Sequence, residues 1–505
     1  MGEDQFGAHP VVGGAIVDTP ITADESLRRE EERVAERSAP FRKELGLHDL
    51  VLTQILFVVG TVWVGAAAKL GHSQLVFWAL AILLFYLPQA AVVIYLSRRM
   101  PLEGGLYQWT RLGLSEPLAF LVVWNLWLFA VVLLGSIGLV VATSLAYAAG
   151  SAGAWMAQSK TFIIALDVVI IGALAAASLR GLGISKWVHS AGSVMLLTAF
   201  AALIALPFIG RLTGTLASYH PLAVTAPSVS LFSLNVFGKL AVGALSGFEY
   251  VAVLAGECRN PERTIGRSVA IAAPIIAAMF IFGTSAVLAY VPTDRIDLIA
   301  PIPQVLSTGL GHWRIGAFVA PIIIVLVTAR TVGNSSVIFT ATTRMPMVAG
   351  WDQFIPAWFG RVHPRLRTPV NSILFVAAMA LAFSIAGIAG VGEQEGFQLL
   401  DNAAGIFYAL TYLVLFAIPV VGLRRMQLRP PRLLVIAAAA GFCTTLLYVV
   451  LSIFPIIDVP SWWSFALKIS GVIVVANLVG ALVLVGGLRR RMAGNTPVPA
   501  AEEIR

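Results

Sequence analysis

Residues 234–268 read LNVFGKLAVGALSGFEYVAVLAGECRNPERTIGRS. The stretch begins as an apolar helix, loses its side chains across Gly243-Ala244-Leu245-Ser246-Gly247, and resumes at Phe248 with Glu249 behind it. It leaves the apolar phase through Gly256-Glu257 into a basic loop, Arg259-Asn260-Pro261-Glu262-Arg263. Two glycines four residues apart weaken a helix, because glycine loses the most backbone entropy on folding. Within a bilayer, unpaired backbone is tolerated only where it lines a cavity or is buried in protein. A broken membrane helix with an acid beside the break is therefore a binding-site candidate. The plainer alternative is that Gly243 and Gly247 form a small-residue packing face for a neighbouring helix.

Composition makes the chain an integral membrane protein. Of its 505 residues 58% are hydrophobic and 12% charged, with a mean hydropathy of +0.87. Soluble proteins carry about 25% charged residues. The net charge is +8, but the basic residues are parcelled out between apolar runs rather than gathered on one face. That pattern speaks for membrane orientation and against a nucleic-acid surface. Cys258 and Cys443 fall in different segments and offer neither a disulfide framework nor a metal cluster. The seven histidines are scattered singly, without zinc spacing.

Residues 1–48 read as a tail. Met1–Thr22 lacks periodicity, and Ala23–Leu45 predicts a short charged helix as far as Pro40. With no apolar h-region and no cleavage site, it is not a signal peptide. Twelve apolar spans follow, each about 20 residues or more as a bilayer requires. They run near 49–68, 74–97, 117–149, 160–179, 187–209, 234–256, 268–291, 315–342, 370–390, 399–423, 433–455 and 463–486. One side collects Arg98, Arg99, Arg111, Arg180, Lys186, Arg259, Arg263, Arg267, Arg344, Arg361, Arg365, Arg424, Arg425 and Arg489–Arg491. The other shows little beyond Lys69, Lys160, Arg211, Arg295 and Arg314. The positive-inside rule then puts both termini in the cytoplasm, for a multi-pass protein of the plasma (cell inner) membrane.

Span one contains a second interruption. It reads ILFVVGTVWVGAAAKLG, with Gly60 and Gly65 flanking Thr61-Val62-Trp63-Val64. Spans one and six are equivalent positions if five helices repeat as five more in inverted topology, an arrangement that points to a transporter site. Each pair of half-helices offers N–H groups at one end and C=O groups at the other. The first suits a carboxylate and the second an ammonium. The substrate-binding candidates are Gly60, Thr61, Val62, Trp63, Gly65, Gly243, Ala244, Leu245, Ser246, Gly247 and Phe248.

Three motifs resemble a known family. The loop after span two, from Pro101 through Gly104-Gly105 and Tyr107 to Trp109, is similar to a loop of the amino acid/polyamine/organocation (APC) permeases. Gly247-Phe248-Glu249 followed by Gly256-Glu257, Asn260-Pro261 and Arg263 resembles their sixth span and its exit. Asn334 through Arg344, then Gly350 to Pro356 and Arg361 to Pro369, resembles their eighth span and the loop beyond. The resemblance covers roughly residues 45–430 in order. It implies an all-α LeuT-type fold of twelve transmembrane helices: a 5+5 inverted repeat, here 49–211 and 212–430, two C-terminal helices within 431–488, and a tail 489–505. It also implies alternating access, with a substrate carboxylate at Gly60–Gly65 and the amino group at Gly243–Gly247. Many members place a bulky aromatic gate where this chain has Gly243, so either a larger substrate fits or Trp63 supplies the gate. Some carry a lysine in span five that stands in for sodium; the matching residue here is Met195.

Arg330 lies near the centre of span eight, where a charge costs at least about 2.5–3.5 kcal/mol unless paired or wetted. Arginine stays protonated, so it is not a proton carrier. Either it forms a fixed bond, to Glu249 or to carbonyls of a broken helix, or it supplies a permanent positive charge in place of sodium. Glu249, Arg330, Met195 and Asn334 are the coupling candidates. Ser335 and Ser336 with Val332 have the spacing of sodium-coupled relatives, but serines so placed usually pack. Lys69 and Lys239 are expected to snorkel outward, Asp167 to cap a helix or face the outer interface, and Asp401 with Asn402 to form an N-cap. Trp124, Trp127, Trp155, Trp462 and Trp463 are read as including an interfacial belt.

The expected function is a secondary active transporter for an amino acid, as proton symporter or exchanger. The alternatives are a polyamine or organic-amine transporter, a transporter-like sensor, or a membrane-embedded enzyme. There is no GxSxG, P-loop or His/Asp cluster for an enzyme, and no charge ring or filter loop for a channel. No catalytic residue, metal or cofactor is expected; the partners are a small-molecule substrate and the bilayer, with no nucleic acid. Counting Arg330 and Lys239 against Glu249 favours a zwitterionic or acidic amino acid over a bare polyamine.

Overall fold

The structure is a computed structural model that describes residues 46–492 apart from 101–104, 181–184, 251–257, 259–260, 312–315, 349–353, 356, 367 and 426–427. Expectations for the tail 1–45, the start of the Pro101 loop and the exit after Tyr250 lie outside the described residues. Among those described, ten helices are long and apolar enough to cross a membrane: Gly71–Arg99, Glu116–Gln158, Lys160–Leu179, Ala191–Leu212, Arg263–Tyr290, Gly316–Pro346, Val370–Ile388, Glu393–Gly422, Arg432–Leu451 and Trp462–Arg490. Two shorter apolar helices, Leu47–Val58 and Leu231–Ala244, stand where spans one and six are expected. Both stop short because their backbones break.

Span one leaves the helix at Val59, whose φ of -80 and ψ of 91 are extended, and turns helical again over Trp63–Ala68. Span six widens into a π-turn over Lys239–Ala244 and breaks at Ser246 and Gly247. Gly247 has φ +128, a conformation that L side chains rarely adopt. Helical turns resume at Glu249. The two breaks face one another: a Cβ on Gly247 would meet Val58 Cγ2 at 3.0 Å.

Span three is also jointed, Glu116–Leu134 meeting Ile137–Ala149 at Gly135-Ser136. Asp167 of span four holds the joint. It is fully buried, accepts the Gly138 N–H at 2.7 Å and takes the Ser384 hydroxyl at 2.5 Å. It therefore caps a half-helix inside the bundle rather than facing an outer interface.

Two other expectations change. The helix of span ten begins at Glu393, so Asp401 and Asn402 lie two turns inside it and are not its N-cap. Lys239 does not snorkel: it is 1% exposed, sits 3.6 Å from Asp401 and donates to Asn402 Oδ1. Lys69 stays at the bundle edge, where it donates to the Asp294 carbonyl at 3.5 Å. Trp155, Trp462 and Trp463 are exposed as belt residues, whereas Trp124 and Trp127 stack inside, with Trp124 donating to Ala476 of span twelve at 3.0 Å.

A short helix, Pro301–Leu310, closes the arginine-poor end over span one. A Cβ on Gly65 would lie 2.8 Å from Pro301 Cβ, so the glycine permits this close approach. Asp297 fastens the cover, accepting from Tyr147 of span three at 2.8 Å and from Gln394 of span ten at 2.9 Å.

Candidate substrate site

The two breaks open onto one cavity of about 430 Å³. Span one contributes Gly60, Thr61, Val62 and Trp63; span six contributes Val242, Gly243, Ser246, Gly247 and Tyr250. The facing wall is apolar, with Leu126, Phe129 and Leu133 from span three and Val337, Ile338 and Ala341 from span eight. The lining continues to Met345, beside Arg344, and so reaches toward the arginine-rich end. Arg330, Asn334 and Asp401 also line it. Gly65, Ala244, Leu245, Phe248, Glu249 and Met195 do not. Gly65 packs on the cover, and Ala244, Leu245 and Phe248 are fully buried, Phe248 stacking on Tyr86 at 4.8 Å.

Trp63 accounts for the missing gate bulk at Gly243. A Cβ there would lie 2.5 Å from the indole Cη2, and one on Gly60 would lie 2.6 Å from its Nε1. The indole fills the gap between the breaks, so both glycines are small because Trp63 is large.

Glu249 is 3% exposed and sits just behind the lining, where it accepts the hydroxyls of Tyr408 and Tyr412. These tyrosines are four residues apart and share one face of span ten. The Tyr412 hydroxyl also accepts the N–H of Gly247 at 2.7 Å. Gln89 of span two satisfies more of the break. With its amide turned to suit its neighbours, it donates to the Leu245 carbonyl at 2.9 Å and accepts from Gly247 at 3.2 Å and Phe248 at 3.0 Å. Two uncharged side chains, Gln89 and Tyr412, thus stand in for hydrogen bonds that the helix gives up. An inventory of charges and glycines overlooks Gln89, Tyr408 and Tyr412. The signal for them was polar groups at helical spacing in otherwise apolar spans.

Arg330 does not pair with Glu249. Its Nη2 donates to the carbonyls of Leu56 at 3.2 Å and Val59 at 3.3 Å, the last of the first half-helix in span one. Such carbonyls carry partial negative charge that favours a cation. Among the described residues no carboxylate lies within ion-pair distance of it. A Cβ added at Gly192 of span five would lie 3.9 Å from its Cγ; Met195 is one turn further along. Ser335 donates to the Thr331 carbonyl within its own helix at 2.9 Å.

A family model for amino acid permeases matches residues 49–476 of this chain. The chain belongs to that family. The permease is 25% identical over 464 residues to an "Uncharacterized transporter" of Mycobacterium tuberculosis, covering 89% of this chain and 92% of the relative. It is 26% identical over 266 residues to the "Probable agmatine/putrescine antiporter AguD" of Lactococcus lactis, covering 52% of this chain and 56% of the relative. Among solved structures it resembles MhsT in complex with L-phenylalanine, with a TM-score of 0.57, 14% identity, and coverage of 81% of this chain and 98% of that one. At that identity the likeness shows the fold, which is LeuT-type. The permease is a multi-pass membrane transporter.

Proposed function

We propose that this permease moves an amino acid or a related amine across the plasma membrane by alternating access, with both termini in the cytoplasm and without sodium. The observation that carries this reading is the Arg330 guanidinium on the Leu56 and Val59 carbonyls, beside a cavity shared by two broken helices. A tethered cation there supplies permanently the positive charge that a bound ion would bring and remove. Glu249 is then the group for proton coupling, since it is the acid at the breaks and its two tyrosine donors bridge span six to span ten. Similarity to the agmatine/putrescine antiporter supports an amine-bearing substrate. The cavity's reach toward Arg344 corresponds to access from the cytoplasmic side.

Uptake of radiolabelled amino acids and amines into proteoliposomes tests the reading. Accumulation that follows a pH gradient or counter-substrate, and persists when sodium is replaced by choline, is expected. Binding without any flux would make the protein a sensor instead.

A further inference from the structure

Behind the cavity wall a lysine and an aspartate form a pair that the coupling scheme does not use. Lys239 is 1% exposed and does not line the cavity, whereas Asp401 is 13% exposed and does. Their closest atoms are 3.6 Å apart, and Lys239 also donates to Asn402 Oδ1. A carboxylate offers about four acceptor positions. Among the described residues Lys239 is the only ion-pair or hydrogen-bond partner of the Asp401 side chain, which lines the cavity with acceptor positions to spare. Burying an ion pair costs more in desolvation than an apolar pair of similar volume. Neither residue caps a helix end here, so helix capping does not explain it. The count that set Lys239 among the cavity's cations also fails: its charge is matched by Asp401, and the carboxylate is the member within reach of a ligand.

We propose that Asp401 receives a second cationic group of the substrate, and that Lys239 is the internal counter-charge that holds this carboxylate ionised while the site is empty. The proposal rests on the transport reading above and names its substrate class. That class is a diamine, or a basic amino acid whose side chain ends in a cation. One ammonium lies at the span-six break, and the other reaches Asp401 and competes there with Lys239. When displaced, Lys239 keeps the Asn402 carbonyl oxygen as its acceptor. A compound with one amino group leaves the open edge of Asp401 unmatched.

Matched pairs isolate the second cation at constant chain length: putrescine against butylamine, and ornithine against norvaline. Binding to purified permease in nanodiscs is expected to favour the dicationic-chain member of at least one pair by about tenfold or more, the scale of one charge-assisted hydrogen bond. Asp401→Asn should erase that preference while leaving the other member's affinity within about twofold. Lys239→Met removes both the internal competitor and the charge that keeps Asp401 ionised, so affinity for the preferred member should rise with pH where the wild type's does not, an effect that a purely structural pair would not give. The double variant Lys239→Met/Asp401→Asn buries no charge; if Lys239→Met alone fails to fold, the double variant decides, and it should show no preference. Equal wild-type binding of both members of each pair, or a preference that survives in Asp401→Asn or the double variant, overturns the proposal alone. Binding of none of the four compounds overturns it as well, while the transport reading falls only if no amino acid or amine is taken up into proteoliposomes.

Discussion

Trp63 lies across Gly243 so closely that a Cβ at position 243 would come within 2.5 Å of the indole Cη2 and 2.8 Å of Cζ3. One residue follows the break in span one and the other precedes the break in span six. The indole joins them, so the gate bulk has moved from one broken helix to the other.

Gly243→Trp alone should therefore lose uptake by more than about tenfold, because two indoles would claim one space that close packing cannot stretch to hold. Combined with Trp63→Gly it should recover a substantial part. Uptake by both variants in proteoliposomes checks this; full activity in Gly243→Trp would show that Trp63 does not gate.

Gly60→Val and Gly247→Val should abolish transport while folded protein remains in the membrane. At 60 the new side chain meets the Trp63 indole, and at 247 it also inherits a φ of +128. Strain of that kind costs of order 1–3 kcal/mol. Normal uptake by either variant, with size-exclusion profiles matching wild type, would relegate these glycines to packing.

Tyr412→Phe should destabilise the permease by about 1.5–3 kcal/mol, the worth of a hydrogen bond to a charged group, with a further loss from the Gly247 N–H that it accepts. Tyr408→Phe should cost less, since its hydroxyl donates to Glu249 and, among the described residues, accepts no backbone N–H of the break. Thermal denaturation ranks the two. Glu249→Gln should also flatten the dependence of uptake on an imposed pH gradient, and a gradient response kept in full would remove Glu249 from coupling.

Orientation is testable by labelling, but not at Cys258, which is fully buried. In a cysteine-free background, Arg365→Cys and Lys160→Cys occupy exposed positions at opposite ends of the bundle. An impermeant maleimide should label position 160 on intact cells and position 365 only after permeabilisation. The reverse pattern would invert the topology.

The interrupted helices were legible in the sequence, because Gly60, Gly243 and Gly247 sit in apolar runs where any loss of helix propensity shows. Arg330 was legible for the same reason: a charge in span eight demands an explanation. The partners of each were not. That Arg330 answers to Leu56 and Val59 rather than Glu249 depends on how span eight crosses span one, which no local pattern encodes. Lys239 and Asp401 are 162 positions apart, and each looked ordinary for its place, one as a snorkelling cation and one as a cap. Only packing made them a pair. The resemblance pointed to Met195, whereas a side chain one turn earlier, at Gly192, would meet the Arg330 stem, its Cβ lying 3.9 Å from Cγ.

That contact suggests a rescue. Arg330→Met should lose transport, and a lysine added at Gly192 should restore part of it by bringing an ammonium toward the same carbonyls. No recovery with lysine at 192, in a protein that still folds, would mean that the position of the charge, and not only its presence, is required.

The claim that a tethered cation replaces sodium is tested most directly by one measurement: uptake into proteoliposomes, with sodium exchanged for choline, for wild type and Arg330→Met side by side. The account predicts equal wild-type uptake in both salts and loss in Arg330→Met in both. Wild-type uptake that stops without sodium, or full uptake by Arg330→Met, would contradict it.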